Sequence, residues 1–233
     1  MKIAISQPTY LPWQGYFALI DYVDEFIFLE NIQFAKRSWQ QRNKIIYNDK
    51  ENYLTIPVKS KGKYYQKIYE VEIDDFNKTK KKHLKIIKNI YSKSDYFNLY
   101  FYDLEKIYLN DYKKLSDLNK DLIKHFCKVL KINTFFSEDR IYSFTSKKLN
   151  YLKDICVNKN CSNYISTLGS KKYIGDLKYF PDTNIKIEYY DFKDNIYQQK
   201  TKNFTPRLSI LDLLFNVGPA SLKYLRDNFF LSK

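Results

Sequence analysis

IAISQPTYLPWQGYFALIDYVDEFIFLENIQFAKRSWQQRNKI, residues 3–45, carries the pattern that decides the fold. Residues 2–6 are mostly apolar and read as a short buried strand. Gln7 and Pro8 end it. Pro8 and Pro12 bracket a rigid turn, because each proline holds its own φ and pushes the preceding residue away from helix. Gly15 then allows close backbone approach. Residues 16–23 follow, with Phe17, Leu19, Ile20 and Val23 at helical spacing. Asp24 breaks that helix, and residues 25–30 form a second strand. Strand, turn, helix and strand within about thirty residues make one βαβ unit, which needs a parallel strand pair. The polar residues after the first strand then stand outside the carboxyl ends of the strands, where open α/β sheets bind ligands.

Outward from this unit, residues 33–43 are too polar and varied for a core element. Residues 44–47 and 53–58 read as two strands joined by a turn at 48–51. Residues 59–63 are a basic loop and 69–73 a further short strand. Helices are expected over 78–91, 95–109 and 115–130. Residues 78–131 thus form a helical insertion or a layer over the sheet. Beyond Ile132 the α/β pattern returns. A helix is expected over 147–158, a strand over 163–166, a turn at 167–170 and a helix over 170–179. A strand over 185–190 and short helices over 208–215 and 220–225 complete the chain. No linker rich in Pro, Gly or Ser interrupts it, so the expectation is a single α/β domain with a Rossmann-like, parallel-core sheet.

The chain has 233 residues, 44% hydrophobic and 28% charged, with 23 Tyr and 17 Phe. That is ordinary for a globular protein with a sizeable core. Its formal net charge is +14, yet only five of its 40 basic residues are arginine. Solvated lysine faces account for most of this charge, although basic charge also favours phosphate. Cys127, Cys156 and Cys161 are odd in number, and the latter two have no His or further Cys beside them. Free thiols are therefore expected rather than a zinc site. The chain opens directly on a strand and holds no run of eighteen apolar residues, so the cytoplasm is the expected compartment and no transmembrane segment is predicted.

Both tryptophans, Trp13 and Trp39, and two arginines, Arg37 and Arg42, fall within the opening stretch. Lys36, Arg37, Arg42 and Lys44 place four cations in nine residues. Arginine offers a planar fork for phosphate or carboxylate. Trp39, with Tyr10 or Trp13 across the turn, suits stacking on a base or sugar face. Gln33, Gln40 and Asn43 supply the amide donors and acceptors that sugar hydroxyls require. His83, on a basic amphipathic helix, is the candidate base, with Glu30 and Lys36 as further catalytic candidates. Gly169 and Ser170, after a short strand, are placed to aim backbone N–H groups at an anion. Asp212, in an apolar helix, either pairs with a site cation or caps the strand layer. Tyr197 and Gln198 stand where a segment could close the pocket. No Ser-His-Asp pattern supports nucleophilic hydrolysis.

The opening stretch resembles the WbqC-like family, found with bacterial surface-polysaccharide biosynthesis. The resemblance rests on QPTYLPWQGYF (Gln7 to Phe17), LENIQF (Leu29 to Phe34) and KRSWQQRNKI (Lys36 to Ile45). TIPV (Thr55 to Val58), His83, the Leu168-Gly169-Ser170 turn with Tyr173, Tyr197-Gln198 and LSILDLLFNVG (Leu208 to Gly218) extend it nearly end to end. It implies an amino-sugar or nucleotide-sugar context and supports a site built on Gln7, Pro8, Tyr10, Trp13, Gly15 and Tyr16. At Glu30-Asn31 the chain departs from the family's usual two acidic residues. In pattern alone, the first βαβ unit is similar to the HIGH-motif nucleotidyltransferase fold, with Trp13-Gln14-Gly15-Tyr16 in place of its histidine-bearing turn.

Two functions follow as expectations. One is an enzyme that forms an amide on a nucleotide-linked amino sugar, its acyl group coming from an aminoacyl-tRNA or from an acid activated by ATP. No metal is indicated. The other is a non-catalytic sugar- or nucleic-acid-binding accessory of a glycan pathway.

Overall fold

The computed structural model describes residues 1–232; the side chain of Tyr173 also lies outside the described set. Six strands form one sheet. They are β1 (Lys2–Ser6), β2 (Glu25–Phe28), β5 (Phe135–Glu138), β6 (Asn163–Thr167), β7 (Lys186–Phe192) and β8 (Phe229–Leu231). Their order is β5-β2-β1-β6-β7-β8. Every neighbouring pair is parallel except β7 and β8. The parallel five follow the doubly wound, Rossmann-like order 3-2-1-4-5.

Side-chain alternation along the strands assigns each face its own core. Ile3, Ile5, Ile27, Tyr164, Ile187 and Tyr189 face α5 (Leu149–Asn158) and Phe180. Ala4, Phe26, Phe28, Ile165, Tyr190 and Phe192 face the opposite way, into the larger cluster. That cluster takes in α1 (Gln14–Tyr22), α2 (Phe76–Tyr91), α3 (Phe97–Leu109), α4 (Leu115–Leu130), α7 (Ile210–Val217) and α8 (Ser221–Asn228). Ring contacts knit the helical middle segment into this face: Phe17 meets Phe126, and both Tyr91 and Phe97 meet Phe215.

A separate hairpin, β3 (Arg42–Tyr47) and β4 (Lys50–Thr55), stands beside the sheet. Asn48 and Asp49 alone join its strands, both at positive φ, 52° and 58°. Short polar residues tolerate the left-handed region, and such a turn matches strand twist.

Several expected elements differ. The strand expected over 69–73 is a 3₁₀ turn, Ile68–Glu70, closed by the Glu70 carboxylate on the Lys67 N–H at 2.7 Å. The helix expected over 170–179 shrinks to α6 (Lys171–Ile174), because Gly175 takes φ 79° and ends it. The edge strands β5 and β8, four and three residues long, have no counterpart in the sequence reading. No helix of the described residues is long and apolar enough to cross a membrane.

Candidate functional site

After β1 the chain turns towards β2; after β6 it turns towards β7. The crevice between β1 and β6 is therefore the topological switch point, where doubly wound sheets bind ligands. A cleft of about 540 Å³ opens there. Ser6, Gln7 and Thr9 form its floor. Trp13 and Tyr16 from the start of α1, and Trp39, Asn43 and Lys44 from the hairpin side, form walls. Thr167, Tyr190 and Arg207 complete the rim from the other half of the sheet.

The floor is a strained turn held by amides. Leu11 sits at φ 45°, a region that bulky residues avoid. The Asn43 Nδ2 donates to the Leu11 carbonyl at 2.7 Å. Asn119 Nδ2 donates to the carbonyls of Pro8 (3.1 Å) and Gln40 (2.8 Å). Gln40 Nε2 in turn donates to Gln7 Oε1 at 2.7 Å, and the Tyr16 hydroxyl to the Gln7 carbonyl at 3.0 Å. The indole of Trp13 lies over Gly15 so closely that a Cβ there would overlap its ring. Trp13 also meets Phe192 edge-on and has the Arg207 guanidinium 5.4 Å from its ring. Trp39 stands opposite and is 49% exposed. The cleft's cations are Lys44 and Arg207, each shared with a carboxylate outside the lining: Glu51 at 2.8 Å and Asp194 at 2.8 Å. No carboxylate or imidazole lies among the described lining residues.

A model of the WbqC-like protein family matches residues 7–224, which takes in Gln7, Thr9, both indoles and Arg207. The chain belongs to the WbqC-like family. It is 36% identical over 227 residues to the uncharacterized protein Rv1507c of Mycobacterium tuberculosis (strain ATCC 25618 / H37Rv), covering 97% of each chain. No solved structure matches it.

Not every residue expected at the site of this WbqC-like chain reaches the cleft. Gln7, Trp13, Tyr16, Trp39 and Asn43 line it, with Pro8, Gly15 and Gln40 directly behind. Of the four cations Lys36, Arg37, Arg42 and Lys44, only Lys44 lines the cleft. Arg42 lies over the Tyr53 ring at 4.5 Å, and exposed Arg37 projects from a positive-φ turn. Lys36 and Gln33 belong to a separate hollow with Lys63 and Tyr64. Ser170 turns its hydroxyl back onto the Thr167 carbonyl (2.6 Å) and Ser166 (2.7 Å), and Thr167 is the residue that reaches the cleft. Gly169 lies in the same turn, outside the lining. Gln198 is exposed; its neighbour Gln199 is the one turned inward. Tyr173, expected at the site, has its side chain outside the described residues.

Tyr10 and His83 are placed in the core, not in the cleft. The Tyr10 hydroxyl meets His83 Nδ1 at 2.8 Å and also contacts the Tyr108 hydroxyl. Burial pushes His83 down to about 4, with Lys82 adding to the effect and a backbone bond to Thr55 opposing it. A neutral ring bonded on both sides braces the floor from below, through the Tyr10 N–H that donates to the Trp39 carbonyl at 2.9 Å. It cannot reach a substrate amine in the cleft.

Glu30 is fully buried and faces away from the cleft, while its neighbour Leu29 lines it. Its carboxylate meets Lys120 at 3.1 Å and Arg140 at 3.6 Å, beside Glu138. Desolvation raises its pKa against the pull of Lys120. The Asp139 carboxylate accepts the Glu30 and Asn31 N–H groups, so this cluster ties β2 to β5 and α4. Asp212 lies outside the cleft as well, in a second cavity. No group of three or more His, Cys, Asp or Glu among the described residues is placed to hold a metal ion.

The sequence reading missed Arg207, Thr167 and Tyr190. Arg207 carried one usable signal, as one of few arginines in a lysine-rich chain. Its backbone at φ 57° marks the same spot in the structure.

Proposed function

We propose that this cleft binds a nucleotide-linked amino sugar, and that the protein forms an amide on it by acyl or aminoacyl transfer in surface-polysaccharide biosynthesis. One observation carries the reading: two indoles and two cations converge on one crevice of about 540 Å³ at the sheet's switch point. Trp13 and Trp39 suit stacking on a base or sugar face. Arg207 and Lys44 suit a diphosphate. Ser6, Gln7, Thr9 and Thr167 offer partners to sugar hydroxyls.

In the transfer, the amine nitrogen attacks the acyl carbonyl. The new C–N bond replaces the bond from acyl carbon to carrier oxygen. The carrier leaves with that electron pair, and the proton given up by the amine goes to the departing oxygen or to solvent. The protein's part is to position the two reactants and to stabilise the tetrahedral oxyanion. An aminoacyl-tRNA donor has the basic surface around exposed Lys36, Arg37, Lys61 and Lys63 to approach. An acid activated by ATP is the other donor.

Incubation of the purified protein with amino-sugar nucleotides, amino acids, ATP and charged tRNA tests this by mass spectrometry. The expected result is an acylated sugar nucleotide. The absence of acylated product with every donor would overturn the transferase reading. A second reading, a non-catalytic sugar-binding accessory, is favoured by the absence of carboxylate and imidazole from the described lining. Saturable binding of the sugar nucleotide without any product would select it.

A further inference from the structure

Where β3 runs into its hairpin turn lies a second cavity of about 300 Å³. Ile46 and Tyr47 of β3, Tyr91 of α2, Lys200 and Thr201, and Asp212 of α7 line it, with Asp49 at the hairpin turn. Asp212 is 3% exposed. Its Oδ2 accepts from the Tyr197 hydroxyl at 2.7 Å and from Gln199 Nε2 at 2.7 Å. Both donors are neutral. Lys200, the cation on the cavity wall, pairs instead with Asp95 at 2.8 Å. The buried Tyr91 hydroxyl lies beside the Asp212 carboxylate without a partner in good hydrogen-bond geometry.

A buried carboxylate served only by neutral donors is incompletely compensated, because desolvation penalises the charge more than such bonds return. Burial accordingly raises the Asp212 pKa against the pull of Tyr197, Gln199 and the neighbouring Tyr91 hydroxyl. What completes such a site is a cation small enough to enter. A metal ion finds too few ligands here, since no group of three or more His, Cys, Asp or Glu among the described residues is placed to hold one. An ammonium group suits better. It donates to Asp212 and to the Tyr91 oxygen, and the Tyr47 and Tyr91 rings favour an organic cation over a bare one. A volume of about 300 Å³ is at the small end for organic ligands.

We infer that this cavity is a binding site for a small primary ammonium compound, an amino alcohol or a small amino acid, held by the Asp212 carboxylate and the Tyr91 hydroxyl. The inference does not depend on what the cleft binds. Free amine and amino acid share the ammonium, and the titration separates them.

Isothermal titration of the full chain at neutral pH with ethanolamine, glycine and sodium acetate tests it. The expected result is saturable, one-to-one binding of ethanolamine or glycine and none of acetate. Asp212→Asn, nearly isosteric, should weaken that binding at least about tenfold. Asn89→Trp places an indole at the exposed rim and leaves the carboxylate untouched. It should weaken binding to a similar degree with an unchanged thermal midpoint, so the result stands even if the Asp212 variant fails to fold. Glycine binding above ethanolamine would assign an amino acid, and the reverse an amino alcohol. Failure of both to saturate the native protein, or binding that survives both substitutions, would overturn the inference.

Discussion

Two cavities share the strand β3, and they are opposites. The cleft at the sheet's end presents Lys44 and Arg207 with no carboxylate in its described lining. The cavity behind it presents Asp49 and a buried Asp212, with its one lysine paired elsewhere. A net charge of +14 foretells the first and not the second. The difference is one of solvent. Most of the lysines sit in water, where high dielectric and counterions screen them. Asp212 is removed from water, and a single desolvated charge outweighs many screened ones. Local chemistry is therefore set by which few groups the fold dries.

Three substitutions probe whether the two regions are as separate as they look. The largest effect is expected for Gly15→Ala. A Cβ at that position overlaps the Trp13 ring, so the indole must leave its wall. Overpacking of this kind costs about 1–3 kcal/mol. With the wall lost as well, affinity of the cleft for uridine diphosphate should fall about a hundredfold by calorimetry. Ethanolamine binding at Asp212 should stay as it was. If nucleotide binding survives, the aromatic wall is not what defines the cleft.

His83 tests the cleft's underside. Its folded pKa, about 4, lies below the ordinary value of 6.5. Between those values the unfolded chain takes up a proton that the native ring refuses. The contribution is thus complete above about pH 6.5 and is lost as pH falls towards 4, amounting to at most about 3 kcal/mol. Urea unfolding across this range should show that slope, and His83→Gln should flatten it. An unchanged slope in the variant would remove His83 from the brace under the floor.

The smallest effect is expected for Trp39→Ala. Half-exposed Trp39 contributes stacking rather than core. Stacking on one base is worth about 1–3 kcal/mol, so about a tenfold loss of uridine diphosphate affinity is expected, with the thermal midpoint little changed. Equal affinity would leave Trp13 as the sole aromatic wall.

Much of the frame was readable in the chain. The alternation in residues 2–6 and 25–28, separated by a helix-period stretch, required a parallel pair, and β1 and β2 are one. Trp13, Trp39, Gly15, Gln7 and Asn43 stood out by type and all come to the cleft or its support. His83 was the opposite case. It lies in line with Phe76, Thr79, Ile87 and Tyr91, the buried face of α2, so helical spacing already pointed it inward. Lysines beside it in sequence obscured that, because neighbours in a helix point in different directions. Asn43 and Gln40 look like ligand-binding amides and are largely committed to the backbone of the turn, since a strained Leu11 needs holding.

By itself, then, the sequence determined the layered α/β frame, the rigid Gln7–Tyr16 turn and the family, since hydrophobic period, proline placement and motif are local properties. Which residues meet at the site was decided only by tertiary structure. Ser6 and Thr167 are 161 residues apart and become neighbours because β1 pairs with β6. Arg207 reaches Trp13 because the Trp13 and Ser209 backbones meet in an isolated bridge. Asp212 acquires its character because Tyr197, Gln199 and Tyr91 close over it and exclude water. Pairing order and desolvation are properties of the assembled molecule, and no window of sequence contains them.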